Sequence, residues 1–190
     1  MKGMEMGKLR SGNVVDSKNL PLGGSPLNPV PLRTPVKTRI ERGMGNAPET
    51  YDLDITILDI FRGREAQDQA RVLSKVDAPM KPGLDCVLCH MKLGYYRRGR
   101  GFDGSPVSYE VKKEHFSVFS VDGLTEYSLP SVSLKPEHSM IGQVLSAGES
   151  LEGWIILEVP KNEEKPLLAF RREKIDGVYW VWGCVWLRLH

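Results

Sequence analysis

Apolar and polar residues alternate in short runs along most of the chain from Val36 onward. In TYDLDITILDIF (50–61), large apolar residues occupy the odd positions from 51 to 57, with Asp or Thr between them. Alternation with a period of two is the pattern of a strand with one buried and one solvated face. Similar runs predict further strands at 84–96, 107–111, 115–121, 124–127, 151–159, 167–171 and 178–189.

One segment has helical periodicity instead. REAQDQARVLSKV (64–76) places Ala66, Ala70 and Leu73 on one face among good helix formers, upstream of Pro79. The Asp-Gly pairs at 122–123 and 176–177 are strong signals for tight hairpin turns. About seven or eight strands with a single short helix favour a β-sandwich over alternating βαβ units.

The beginning of the chain lacks either period. The first 50 residues contain 7 Gly and 6 Pro. A stretch such as NLPLGGSPLNPVPLRTP (19–35) buries too little apolar surface to offset the entropy of ordering it. We therefore predict a flexible leader or linker over residues 1–35 and one β-sandwich domain over residues 36–190.

Composition and charge exclude several classes of function. No apolar run approaches the roughly 20 residues that cross a bilayer, so we predict no transmembrane segment. A net charge of +2 is too small to indicate nucleic-acid binding. The first residues contain no apolar stretch of about 7–15 residues, so no signal peptide is visible in this chain.

The stretch DCVLCHM (85–91) contains Cys86-x-x-Cys89-His90, the spacing of a c-type haem attachment site. On a strand, Cys86 and Cys89 point to opposite faces with their Cα atoms about 10 Å apart. That geometry suits neither haem attachment nor a disulfide, whose Cα atoms lie within roughly 7 Å. We therefore predict no cofactor, with Cys89 a small buried residue and His90 a solvated one. A metal- or haem-binding redox protein using Cys86, Cys89 and His90 is the alternative.

The C-terminal stretch VYWVWGCVWLRLH (178–190) is apolar on both faces, with Trp180, Trp182 and Trp186 on the same side. Such a strand is either covered on both sides or presents an exposed aromatic stripe, which is typical of protein, glycan or peptide contacts. Trp154 is expected at the rim of the same sheet. We predict these four tryptophans as partner-binding residues; packing of Trp180 or Trp182 under the N-terminal leader or the helix is the alternative.

A second candidate segment is YYRRGRGFDGSP (95–106), in which Arg97, Arg98 and Arg100 alternate with aromatic residues and glycine. This pattern is typical either of phosphate or acidic-polymer binding or of a solvated hairpin tip. We include the three arginines among the partner-binding residues.

Motifs for catalysis are missing from the sequence. It contains no Gly-x-Ser-x-Gly elbow, no phosphate-cradling loop and no metal-binding His pair. The carboxylates of Glu149, Glu152 and Glu158 are expected on the solvated side of a strand. We predict that the protein is not an enzyme; a hydrolase on a sandwich scaffold would require a pocket lined by carboxylates with shifted pKa values.

The stretch GESLEGWIILEVPKNEEKPLLAF (148–170) resembles the signature hairpin of telokin-like immunoglobulin-fold domains, which occur in bacterial exported proteins and lipoproteins of unassigned function. Gly148, Gly153 and Trp154 match the start of that hairpin, and Val159 and Pro160 match its end. IFRGREAQDQARV (60–72) and HFSVFSVDGLTEY (115–127) are similar to two other parts of the family pattern. The resemblance covers roughly residues 35–190.

This resemblance implies that the β-sandwich is immunoglobulin-like. It also implies a non-enzymatic module of the bacterial cell envelope or extracellular space that binds an unknown protein or cell-surface ligand. Because the matched motifs are structural, they indicate a fold and leave the specific function open.

Overall fold

The computed structural model describes residues 20–42, 49–74, 81–98, 108–130, 134–171, 174–175, 178–179 and 184–190. Within these ranges the chain is mostly β, in a sandwich-like arrangement with one α-helix, which confirms the predicted fold class. The elements in chain order are β1 (Val36–Arg42), β2 (Glu49–Arg62), α1 (Gly63–Leu73), β3 (Leu84–Arg97), β4 (Tyr109–Glu110), a 3₁₀ turn (Lys113–His115), β5 (Phe116–Phe119), β6 (Glu126–Tyr127), β7 (Val144–Leu145), β8 (Ser150–Pro160), β9 (Leu167–Arg171), β10 (Lys174–Ile175), β11 (Val178–Tyr179) and β12 (Cys184–Arg188).

Two four-stranded antiparallel sheets form the sandwich. The first sheet has the order β1-β2-β3-β8 and the second has the order β12-β9-β5-β6. Their facing surfaces share one buried apolar core, to which β2, β3 and β8 contribute from one side and β5, β9 and β12 from the other. Strand β3 pairs with β2 and β8 along nearly its whole length, so it forms the centre of the first sheet.

The strand count and one long strand differ from the sequence prediction. The described residues include 12 strand segments rather than seven or eight. The predictions at 107–111 and 124–127 overlap the two-residue strands β4 and β6, whereas β1, β7 and β10 were not predicted. The predicted strand 178–189 is divided. Its first two residues, β11, form a hairpin with β10, whereas β12 pairs with β9.

Helix α1 covers the outer face of the first sheet. Ala66 and Ala70 are buried at helical spacing, as the sequence predicts. Ala66 forms a second apolar cluster with Cys86, Leu88 and Leu134 on that outer face. Strand β3 is therefore covered by apolar side chains on both faces. The helices that the structure describes are too short and too polar to cross a bilayer, the longest having 11 residues.

Residues 20–34, which we call the N-terminal strap, contact β12 and correct part of the predicted leader. Val30 is 0% exposed, belongs to the core between the sheets and forms a parallel bridge with Leu187. Gly23 allows the close approach: its φ is +73°, and a Cβ there would lie 2.7 Å from the Val30 side chain. The strap is folded onto the domain because backbone hydrogen bonds and the buried side chains of Pro29 and Val30 compensate for its low apolar content. Residues 1–19 of the predicted leader lie outside the described residues.

Candidate binding site at the edge of β8

Among the predicted aromatic residues, Trp186 is a core residue rather than a surface one. It is 2% exposed and packs in a cluster on the outer face of the second sheet, where its ring lies 5.0 Å from that of Phe119. The backbone of the N-terminal strap bonds directly to Trp186. A buried ring of this kind cannot contact a partner, so this prediction is wrong for Trp186. Trp180 and Trp182 lie outside the described residues.

Trp154 lies in β8, on the first sheet, and not on the sheet that contains Trp186 as we predicted. Its half-buried indole stacks on His90 with ring centroids 4.3 Å apart and lies 5.8 Å from Phe61. His90 was predicted as a solvated position, but the cross-strand pairing of β3 with β8 places it directly beside Trp154. The three rings form a small aromatic surface beside helix α1.

The structure does not bring the predicted arginines to the tryptophans. Arg97 ends β3 and Arg98 follows it, seven and eight residues from His90, the partner of Trp154. Seven residues along a strand span about 24 Å. The exposed Arg98 guanidinium lies 4.0 Å from the carboxylate of Asp52. Arg100 lies outside the described residues.

The cysteine geometry agrees with the prediction of opposite faces. Cys86 belongs to the cluster on the outer face of the first sheet, whereas Cys89 belongs to the core between the sheets. Burial, followed by the charges of Glu158 and Asp85, raises the pKa of Cys86 to about 11. Burial also raises the pKa of Cys89. Two protonated thiols on opposite faces of a sheet do not support the redox alternative.

Metal-ligating side chains do not cluster in the described ranges, where no group of three or more His, Cys, Asp or Glu could hold an ion. The carboxylates considered for a hydrolase are also dispersed. Glu152 is exposed and pairs with Lys92 at 2.9 Å. Glu158 was expected on a solvated face, but it is 6% exposed and pairs with Lys81 at 3.7 Å. Six residues of strand separate the two glutamates by about 20 Å, too far for a joint acid–base role.

An apolar cavity of about 350 Å³ lies along the outer edge of β8. Its volume lies near the lower end of the range for ligand sites, which leaves room for a small apolar ligand or a large side chain. Its walls come from β8, the start of β5 and the segment between β6 and β7. They are formed by Lys113, Phe116, Leu129, Pro130, Leu134, Pro136, Ser139, Ile141, Gly142, Gln143, Trp154, Ile155, Ile156 and Leu157.

The backbone of β8 faces this cavity because β8 is the last strand of its sheet. The N–H of Trp154 donates to the carbonyl of His138 at 2.8 Å, and the carbonyl of Trp154 accepts from Met140 at 3.0 Å. Hydrogen-bonding groups alternate between the two sides of a strand. Those of Ile156, two residues on, therefore also point away from β3.

One charged residue lies on the cavity wall. The ammonium of Lys113 donates to the carbonyl of Pro130 at 2.7 Å, and no carboxylate in the described ranges pairs with it. A cation with a neutral partner at the margin of an apolar cavity favours an acidic group on whatever enters.

A second, more polar cleft adjoins the first. It contains the ion pair between Arg171 and Glu126 at 2.8 Å. The hydroxyl of Tyr127 donates to Glu163 at 2.9 Å, and burial together with this carboxylate raises the pKa of Tyr127 to about 12. Three of the residues that line this cleft, Arg171, Glu126 and Tyr127, already have charged or polar partners, whereas the apolar cavity is lined mostly by side chains that an apolar ligand would shield from water.

Sequence reasoning found Trp154 and missed the other walls of the cavity. The sequence offered one indication of these walls, the length of the connection between two predicted strands. Residues 128–150 form this connection, and long connections inside a compact domain often carry function. Which strand edge such a connection covers depends on the packing of the two sheets.

No protein family model, curated protein or solved structure matches this chain. The resemblance to telokin-like domains therefore depends on the quoted motifs and stays a prediction.

Proposed function

We propose that this protein is a non-catalytic β-sandwich module that binds an apolar group of a partner protein or cell-surface ligand in the cavity beside β8. The cavity itself carries the proposal, since within the described residues it combines apolar walls with a cation bonded only to a neutral carbonyl and with a strand edge that is unpaired at Ile156. Sites of this composition bind by burying apolar surface and orient the ligand with a few polar groups. Trp154, from the predicted set, is the aromatic residue on the β8 wall.

We further propose that this binding takes place in the bacterial cell envelope or outside the cell. The support is the likeness of residues 148–170 to the telokin-like hairpin, whose bearers are exported proteins and lipoproteins. Fractionation of cells that produce the protein from its natural gene tests this point. Recovery in the cytoplasm alone would exclude the envelope role and leave the binding proposal intact.

A small apolar probe tests the binding proposal directly. We expect N-acetylphenylalaninamide, titrated into protein with ¹³C-labelled methyl groups, to shift the signals of Ile141, Ile155 and Leu157 in a saturable manner. These three side chains line the cavity. The methyl signals of Leu124, which is 83% exposed and not part of the wall, should stay unchanged.

A matched pair of substitutions locates the bound probe. Leu129→Trp adds bulk to the cavity wall and should weaken binding at least about tenfold, whereas Leu124→Trp adds the same bulk at an exposed site and should not. Equal affinity of both variants, or no saturable shift in the parent protein, would reject the cavity as the binding site.

A further inference from the structure

The edge of β8 is closed by the protein's own backbone at Trp154 and is open at Ile156. Residues 138–140 run parallel to β8 there, with a bridge between Ser139 and Trp154 and hydrogen bonds in both directions. Beyond this bridge the chain turns away at Gly142, whose φ is +88°. The N–H and carbonyl of Ile156, which face away from β3, have no backbone hydrogen-bond partner among the described residues. The pairing of residues 138–140 with β8 therefore ends at Trp154. Ile156, the next residue of β8 whose backbone groups face outward, still lines the cavity.

We infer that the occupant of the cavity is an extended peptide of a partner protein that adds to the edge of β8 as a further strand. This inference rests on the binding function proposed above and specifies its partner. The peptide's backbone continues the ladder that residues 138–140 begin, and pairs with the N–H and carbonyl of Ile156. Strand addition gains affinity from backbone hydrogen bonds and specificity from pockets for alternate side chains.

The side chains around Ile156 define the sequence of the peptide. Phe116, Leu129 and Leu157 surround the cavity, so one residue of the peptide is aromatic or a large aliphatic. Lys113 lies on the same wall and, among the described residues, bonds only to a neutral carbonyl, so an acidic residue of the peptide pairs with it. The partner is therefore an apolar and acidic segment that is extended when bound.

The first test uses the peptide Ac-EVFVE-NH₂. Its sequence reads the same in both directions, so that Phe enters the cavity and a Glu meets Lys113 whether the strand adds parallel or antiparallel. We expect saturable binding by isothermal titration calorimetry, with slower hydrogen exchange at the Ile156 amide. No binding of this peptide, together with binding of N-acetylphenylalaninamide, would overturn strand addition while leaving the proposed function standing. Failure of both probes would reject the proposed function as well.

Two N-methylated peptides separate strand addition from simple filling of the cavity. One carries N-methyl groups on both Val residues, and the other carries them on Phe and the second Glu. Because amides alternate along a strand, only one of these sets faces β8. One peptide should bind at least about tenfold more weakly than the parent and the other nearly as well. Equal behaviour of the two, whether both bind or both fail, overturns the inference.

Protein variants test the same contacts from the other side. Ile156→Pro removes the N–H that faces the cavity and should weaken Ac-EVFVE-NH₂ about tenfold, whereas Ile156→Val keeps the N–H and should not. Lys113→Glu should weaken the same peptide and strengthen Ac-KVFVK-NH₂, with Lys161→Glu, an exposed position outside the cavity wall, as control. A peptide preference that does not reverse in Lys113→Glu contradicts the predicted charge pairing.

Discussion

Strands β12 and β8 are both sheet edges, and both have a tryptophan whose backbone is bonded by a neighbouring segment. At β12, the N–H of Trp186 donates to Gly23 at 2.9 Å and its carbonyl accepts from Val30 at 2.8 Å. The next group that faces outward, the N–H of Arg188, donates to Val30 at 2.9 Å. At β8, Trp154 is bonded in the same way, but Ile156 has no such partner among the described residues.

The side chains of these two tryptophans also differ between the two edges. The Trp186 side chain is buried in the apolar cluster on the outer face of the second sheet, whereas that of Trp154 is half-buried and borders a cavity. An open edge invites pairing with another chain, and proteins usually cover it. The strap bonds to the β12 edge at Trp186 and Arg188, whereas among the described residues the cover of the β8 edge ends at Trp154, which fits the binding proposed there.

The largest effect is expected from proline substitutions at two neighbouring residues of β8, one whose N–H faces β3 and one whose N–H faces outward. Leu157→Pro removes an N–H that pairs with β3 and should destabilise the fold by more than about 3 kcal/mol. Ile156→Pro removes an N–H that faces outward and should cost only about 1–2 kcal/mol. Urea unfolding measures both. Equal losses would mean that Ile156 has a backbone partner and that the edge is closed.

Removal of the two indoles should distinguish the closed edge from the open one. Trp186→Ala leaves a cavity in the buried cluster beside Phe119 and should lower the free energy of unfolding by about 3–5 kcal/mol. Trp154→Ala removes a half-buried ring stacked on His90 and should cost about 1–2 kcal/mol. Chemical denaturation followed by circular dichroism compares them. A larger loss for Trp154→Ala would contradict the assignment of Trp186 to the core.

The contribution of the strap can be measured at one residue. Val30→Ala deletes buried methyl groups and should destabilise the protein by about 2 kcal/mol. Val144→Ala is the matched control, since Val144 is 60% exposed, and it should change stability by less than about 0.5 kcal/mol. If both variants melt at the same temperature, the strap does not stabilise β12.

Alkaline pH should weaken the pairing of β3 with β8. The pKa of Cys86, opposite Glu158, rises from 9.0 to about 11 on folding, so the folded protein holds this proton more tightly than the unfolded chain. The resulting stability is complete below pH 9 and declines as the pH rises towards 11, by an amount on the order of 2 kcal/mol. Urea unfolding at pH 7 and pH 10.5 should show a shallower decline for Cys86→Ala than for the parent protein. An identical decline would contradict this assignment.

The alternation of residues along the chain determined much of the fold. It correctly predicted the strand at 167–171, the separation of Cys86 from Cys89 and the buried faces of β2 and α1. These properties depend on the spacing of apolar side chains within each segment, which the local sequence alone determines. The strands β2, β3, β5, β8 and β9 were therefore predictable, whereas the seven-residue strand β1 was missed.

Only the tertiary structure decided what covers each edge. The apolar faces of residues 184–189 indicated burial without naming the cover, and the strap that supplies it lies more than 150 residues away along the chain. Trp154 and Trp186 are alike in sequence context, yet they belong to different sheets. The cavity exists because the segment between β6 and β7 leaves β8 after a single bridge. That departure depends on contacts between distant residues, which no local period encodes.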